Sequence, residues 1–195
     1  MRFENRKFTI LVSIGIICIL GSFLFPLFLG ALIREMIFFQ KGAFAFSSDT
    51  SSYFIFSIAF IIIGITLILL AVDRISAKIR SVISIILFLV AATSIVLSID
   101  NVYYGTQKGF YYNDIKSLGT TEIPWESIIE MEEIYIKEEY NRRAHQLIFK
   151  LNNGKKYVID YNSYLSGYHK KIEEFVKSHG GKTIITEIKE MDINK

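Results

Sequence analysis

The chain has 195 residues, 51% of them in the AVILMFWYC set and only 21% charged, with a formal net charge of +3. Two prolines and one cysteine exclude a proline-rich or disulfide-stapled chain, and a mean hydropathy of +0.36 with 14% aromatics excludes bulk disorder. Residues 1–100 hold 8 Lys+Arg and 5 Asp+Glu, whereas residues 101–195 hold 14 of each, so a membrane-directed half precedes a water-facing half.

Three stretches carry no formal charge: Phe8–Ile33 (26 residues), Thr50–Val72 (23) and Ser81–Ile99 (19). A helix crossing a hydrocarbon layer of roughly 30 Å needs about 20 apolar residues, so the sequence predicts three transmembrane helices, over about 8–30, 51–72 and 81–99. The first run is too long for the core of a signal peptide, lacks a small-residue cleavage site, and reads as an uncleaved anchor. Pro26 removes a backbone donor near its far end and predicts a kink or tilt there. Arg34 and Glu35 then fall at the interface, with Met36–Phe39 as a short surface-lying turn.

No Asp, Glu, Lys, Arg or His interrupts the three runs, which argues against a self-contained ion-coupled pump. Ala91, Ser94 and Ser98 recur at the i, i+3, i+7 spacing of one helical face and would admit a close neighbour. Arg2, Arg6, Lys7, Arg74, Lys78 and Arg80 flank one side, against Arg34, Lys41, Lys108 and Lys116 on the other. This bias places the amino terminus in the cytoplasm and, after three spans, the carboxy-terminal half outside.

From Asn101 onward short alternating segments replace long apolar runs. Val102–Thr106 and Gly109–Tyr112 read as a hairpin, Thr121–Trp125 as a third strand and Glu130–Tyr140 as a fourth. His145–Leu151 and Lys155–Tyr161 flank Asn153-Gly154, a dipeptide suited to a two-residue type I′ turn with positive φ at both positions. If residues 152 and 155 pair across it, Leu147, Phe149, Leu151 and Val158 share one face, and Ile148, Ile159, Tyr157 and Tyr161 share the other. A helix is predicted over about 166–179, from Tyr168, Ile172, Phe175 and Val176 at helical spacing and a left-handed stop at Gly180-Gly181. A last strand follows over Lys182–Ile188, and residues 189–195 read as a flexible tail.

Gly109-Phe110-Tyr111-Tyr112, the step Ile123-Pro124-Trp125-Glu126-Ser127-Ile128, the strand Leu147-Ile148-Phe149 before Asn153-Gly154-Lys155, and the helix through Ile172–Val176 together resemble the bacterial PH-like (pleckstrin-homology-like) domains carried by small multi-span membrane proteins. The resemblance covers residues 101–188. It implies a membrane α plus α+β fold, in which three transmembrane helices precede a bent antiparallel β-sheet capped by a carboxy-terminal helix. In that family the Ile-Pro-Trp-x-x-Ile step turns a sheet corner and buries the indole, so Pro124, Trp125 and Ile128, with Asn153 and Gly154 at the hairpin, are structural residues. The resemblance brings no catalytic residues, and it implies a cytoplasmic domain in many members, against the charge bias.

His145, His169 and His179 show no metal-binding spacing, and the one cysteine, Cys18, lies in the first apolar run. No nucleophile elbow or phosphate-binding glycine loop is present. Glu126, Glu130, Glu132, Glu133, Glu138 and Glu139 read as a solvated sheet face. Arg142, Arg143, Lys137, Lys150, Lys155 and Lys156 form a basic rim on a half that is neutral overall, so nucleic acid is not an expected partner. The expectation is a non-enzymatic, multi-pass protein of a bacterial cell membrane, without cofactor or metal. Its partners are membrane lipid and either another protein or its own copy, met through a surface of Tyr157, Tyr161, Ile148, Ile159, Arg142 and Arg143. The alternatives are an immunity or envelope-protection protein and an accessory subunit of a transporter or membrane enzyme.

Overall fold

The computed structural model describes residues 2–38, 42–73, 75–114, 118–137 and 141–189. The chain divides into two compact units, and the division is not a simple cut: residues 42–49 belong with the carboxy-terminal unit rather than with the helices on either side of them.

The first unit is helical. Helix α1 covers Arg2–Gly21 and α2 covers Ala31–Phe38, with a π-helical turn, Pro26–Gly30, leading into α2. Helices α3 (Thr50–Ala71) and α4 (Ala77–Asp100) are each long and apolar enough to cross a membrane. The first apolar run is not one straight span. Arg6–Gly21 and Pro26–Phe38 meet at a bend of 71°, so the count is two spans, or three if that pair crosses as one. The charge-free part of α1, Phe8–Gly21, reaches only about 21 Å at about 1.5 Å per residue, short of the roughly 30 Å layer. Pro26 explains the break, because its missing N–H interrupts the helical ladder. The carbonyls freed nearby find side-chain donors: Ser22 Oγ donates to Ile19 O (2.7 Å) and Tyr53 Oη to Phe23 O (2.7 Å). Arg34, predicted at an interface, donates from Nη2 to Ser52 Oγ at 3.1 Å.

Helix α3 is central, packing on α1 and on α4. Its contact with α1 passes through glycine. A Cβ added to Gly15 would stand 2.8 Å from Gly64 O, and one added to Gly64 would stand 2.6 Å from Gly15 O, so backbone meets backbone. Toward α4, Ser52, Ala59 and Thr66 are buried at seven-residue steps, as are Ser84, Ala91 and Ser98 on α4. Ser98 Oγ donates to Ser52 O at 2.6 Å. The antiparallel register this bond sets brings Ala91 level with Ala59 and Ser84 level with Thr66. Ser94, predicted on the same face as Ala91 and Ser98, instead donates to Val90 O of its own helix.

The second unit holds two four-stranded sheets. Strands β1 (Phe44–Ser47), β2 (Tyr103–Gly105), β3 (Gly109–Tyr112) and β4 (Thr121–Pro124) form one, entirely antiparallel, in that order. A 3₁₀ turn, Trp125–Ser127, carries the chain into β5 (Ile128–Lys137), followed by β6 (Arg142–Leu151) and β7 (Lys156–Asp160). Helices α5 (Ser163–Ser166) and α6 (His169–Ser178) take the place of the single predicted helix, and β8 (Lys182–Lys189) closes the second sheet in the order β7-β6-β5-β8. The expected all-antiparallel bent sheet is therefore incomplete as a description, because β8 runs parallel to β5 from Glu130↔Lys182 to Lys137↔Lys189. A parallel partner needs a crossover connection, which α5 and α6 supply. The core between the sheets and α6 is strongly aromatic, with Tyr103, Phe110, Trp125, Phe149 and Tyr161 among its buried members.

The hairpin after β6 corrects the predicted register. Lys150 pairs with Lys156 and Phe149 with Tyr157, so the loop is Asn152-Asn153-Gly154, not two residues. Gly154 N donates to Leu151 O (3.0 Å), Leu151 N to Lys155 O (2.9 Å), and only Gly154 has positive φ (+79°). This is a three-residue loop with glycine at its left-handed position rather than a type I′ turn. One residue of slip moves a whole strand's side chains to the other face.

Candidate functional site

Strand β1 comes from the segment just before α3, yet it lies in the β domain, and around it the best-defined constellation of side chains is built. Phe44 stacks on Phe175 (centroids 5.5 Å, 12°) and faces Trp125 (6.5 Å, 10°) and Tyr168 (6.4 Å). Trp125 in turn stacks on Phe175 at 5.1 Å. Lys171 Nζ sits 4.2 Å from the Phe44 ring centroid on the exposed flank of α6. The slot exists because β2 offers a glycine at that level: a Cβ on Gly105 would meet the Phe44 ring at 2.6 Å. Trp125 is wholly buried and donates from Nε1 to Thr106 O at 3.0 Å, so its one polar atom is satisfied.

A polar clasp lies beside the slot. Asn101, fully buried, accepts from Asp49 N at Oδ1 (2.9 Å) and donates from Nδ2 to Asp49 Oδ2 (2.8 Å) and Asn113 O (3.0 Å). The Tyr103 hydroxyl shares its proton between Ser48 O (3.0 Å) and Asp160 O (2.9 Å) and accepts from Asn162 Nδ2 (3.1 Å), which also donates to Ser47 Oγ (2.7 Å). Burial pushes the Tyr103 phenol well above its ordinary range and fixes it as a donor. Burial also raises the Asp49 carboxyl, with Asp160 and Asp114 adding like charge against the hydrogen bond from Asn101. Tyr112 is pushed up to about 12 by burial, with Asp114 and Asp49 nearby.

At the other end of the core, Glu133 is 3% exposed. Tyr135 Oη and Tyr161 Oη donate to its Oε2 at 2.7 and 2.9 Å. Burial raises both phenols, which keeps them protonated for that task. The expected solvated acidic face is thus corrected at Glu133: with Met131 and Tyr135 turned inward, the period of two turns the residue between them inward as well. Glu130 and Glu132 do lie on the outer face, where Lys150 Nζ reaches both, at 2.5 and 3.2 Å. Glu132 is held below the usual carboxylate range by the hydroxyl of Thr186 and by Lys150. Glu138 and Glu139 lie outside the described residues.

The predicted interaction surface does not form as one face. Tyr161 and Ile159 are fully buried, Ile148 is buried on the opposite side of its strand, and Tyr157 is half-buried beside Tyr112 (6.2 Å). Arg142 and Arg143 are exposed. Arg142 lies over the Tyr135 ring at 4.8 Å and 4.0 Å from Glu187. Of the predicted basic rim, Lys150 is likewise engaged by carboxylates, Glu130 and Glu132. The register shift accounts for the burial of Ile159 and Tyr161, since it turns them, with Tyr157, toward Leu147 and Phe149. Pro124, Trp125 and Ile128 stand at the junction between the two sheets, and Asn153 and Gly154 in the hairpin loop. His169 and His179 each contact a helix carbonyl through Nδ1, at Ser166 O (2.9 Å) and Phe175 O (2.8 Å). Among the described residues no group of three or more His, Cys, Asp or Glu is placed to hold a metal ion. The arrangement can hold a strand and an aromatic ring.

No family model matches the chain, and neither does any curated protein or solved structure.

Proposed function

We propose that this chain is a non-enzymatic, multi-pass protein of a bacterial cell membrane whose PH-like β domain engages a protein partner, a second copy, or the adjoining lipid surface. The observation that carries the reading is the placement of β1 and β2. They pair across the whole length of α3 and α4 (Phe44↔Gly105, Ser47↔Tyr103), and two crossings return a chain to the side it left. A β domain interrupted by an apolar helical hairpin is thus compatible with a bilayer as the hairpin's solvent. The bent first pair of helices serves as the third span and puts the amino terminus opposite the domain. With the positive-inside bias, the domain faces outward. The buried Trp125 corner supports the PH-like reading, while β1 and the parallel β8 are additions to the family pattern.

A tethered domain reaches partners at high effective concentration, so modest contacts suffice. The outer face of the second sheet supplies exposed apolar side chains, Val158 at 43% and Ile184 at 41% exposure, and replaces the Tyr157–Tyr161 face as the surface to probe. Photo-cross-linkers at Val158 and Ile184 in the membrane-embedded protein are expected to trap one discrete species, or lipid. A ladder of random adducts identical to that from Lys155 in the exposed hairpin would remove the adaptor reading.

A further inference from the structure

We infer that β1 is a strap through which the β domain responds to the spacing of the α3 and α4 ends that flank it. This goes beyond the adaptor reading and stands without it. The connections are short: β1 ends at Ser47 and α3 begins at Thr50, while α4 ends at Asp100 and β2 begins at Tyr103. Two residues in each link, at about 3.3–3.6 Å per extended residue, leave little slack. Even these are engaged, Ser48 and Asp49 by Tyr103 and Asn101, and Val102 O by Asn113 N at 3.0 Å. Any separation of the helix ends is therefore delivered to β1 and β2 rather than absorbed by a loop.

Strand β1 is also the part of the domain built to yield. It has four residues, lies at a sheet edge, and matches β2 at Phe44↔Gly105 and Ser47↔Tyr103 with an irregularity between. Within that irregularity Ala45 holds φ at +54°, the one non-glycine residue with positive φ among those described, a conformation that disfavours an L-residue. Against this stand two ring contacts and one side-chain hydrogen bond: the Phe44 ring between Trp125, Phe175 and Tyr168, the Phe46 ring on Tyr104 at 6.1 Å, and Asn162 Nδ2 donating to Ser47 Oγ at 2.7 Å. A short strained strand held at so few points seats or releases as a unit, with Phe44 the ring that reaches the core slot. The Ser98–Ser52 hydrogen bond at the helix ends favours the seated condition.

Trp125 is the only tryptophan in the chain and touches the Phe44 ring, so it reports the slot directly. The test uses the full chain in lipid nanodiscs with Cys18→Ala, Ser52→Cys and Ser98→Cys, cross-linked by oxidation or, where the disulfide does not close, by a short bis-maleimide. Fixing the helix ends is expected to lower the unfolding constant read by Trp125 fluorescence at least about tenfold. Reduction of the disulfide should restore it, and Phe44→Ala should diminish the difference. An unchanged Trp125 transition, with the cross-link confirmed by mass, overturns the strap. So does a difference that persists undiminished in Phe44→Ala, because the coupling then runs elsewhere.

Discussion

The helical unit and the β domain solve the same packing problem with opposite side chains. Between α1 and α3 the closest approach is Gly15 against Gly64, and between α3 and α4 it is Ser, Ala and Thr at seven-residue steps. Inside the β domain the corresponding positions are Trp125, Phe110, Phe149, Tyr103 and Tyr161. On the proposed reading, in which lipid is the solvent of the helices, the difference follows from the solvent. Lipid tails are as apolar as leucine, so burying a large side chain between membrane helices gains little, and what remains is van der Waals contact and hydrogen bonding at short range. In water each buried apolar Å² contributes about 25 cal/mol, and rings supply the most area per residue.

The comparison breaks most visibly where the two regimes are exchanged. Phe44→Ala removes the ring that fills the slot over Gly105, and a cost of about 3–5 kcal/mol to the β domain is expected for a truncated core aromatic. The Trp125 unfolding midpoint measures it, although Phe44 precedes α3 in the chain. Gly64→Val performs the reverse exchange, placing a branched side chain where 2.6 Å separates it from Gly15 O. Loss of α1–α3 packing by about 1–3 kcal/mol is expected, seen as an earlier loss of helical circular dichroism in detergent titration. Gly154→Ala sharpens the hairpin assignment: at φ +79° it should cost about 1 kcal/mol, whereas Asn153→Gly should cost far less, since Asn153 does not carry positive φ.

The smallest effect concerns pH. Asp49 has its carboxyl raised in the folded state by burial and by neighbouring carboxylates, so the native form binds more protons than the unfolded chain between the ordinary and the raised value. Stability contributed by protonated Asp49 is present below the ordinary carboxylate range and is lost as pH rises through the raised value. Asp49→Asn, which preserves an acceptor for Asn101, should flatten that decline. A Trp125 midpoint whose pH dependence in mildly acidic buffer is the same in both proteins would show that Asp49 is not its source.

Much of this architecture is legible in the residues. The apolar stretches Thr50–Val72 and Ser81–Ile99 coincide with α3 and α4, and the Pro124-Trp125 step turns the chain with a buried indole, because both signals are local. Strand β1 is not legible: Phe-Ala-Phe-Ser lies four residues long in a loop, and its partner Gly105 is beyond two membrane-length helices. Pairing of β8 with β5 in parallel is equally nonlocal. The Asn-Gly dipeptide marks a hairpin correctly but does not fix its length, and that one residue decides whether Tyr161 faces solvent or Glu133. Glu133 itself looks like its acidic neighbours, and only the inward turn of Met131 and Tyr135 distinguishes it. The clasp at Asn101 has no sequence signal beyond an asparagine after a helix.

Compartment mapping tests the central claim most directly, that an apolar hairpin of two crossings separates two strands of one sheet. In a Cys18→Ala background, Ala43→Cys, Ser76→Cys and Lys155→Cys are labelled in intact cells with a membrane-impermeant maleimide and again after permeabilisation. The account predicts that positions 43 and 155 behave alike and that position 76 lies in the other compartment. Positions 43 and 155 on opposite sides, or all three on one side, would contradict it.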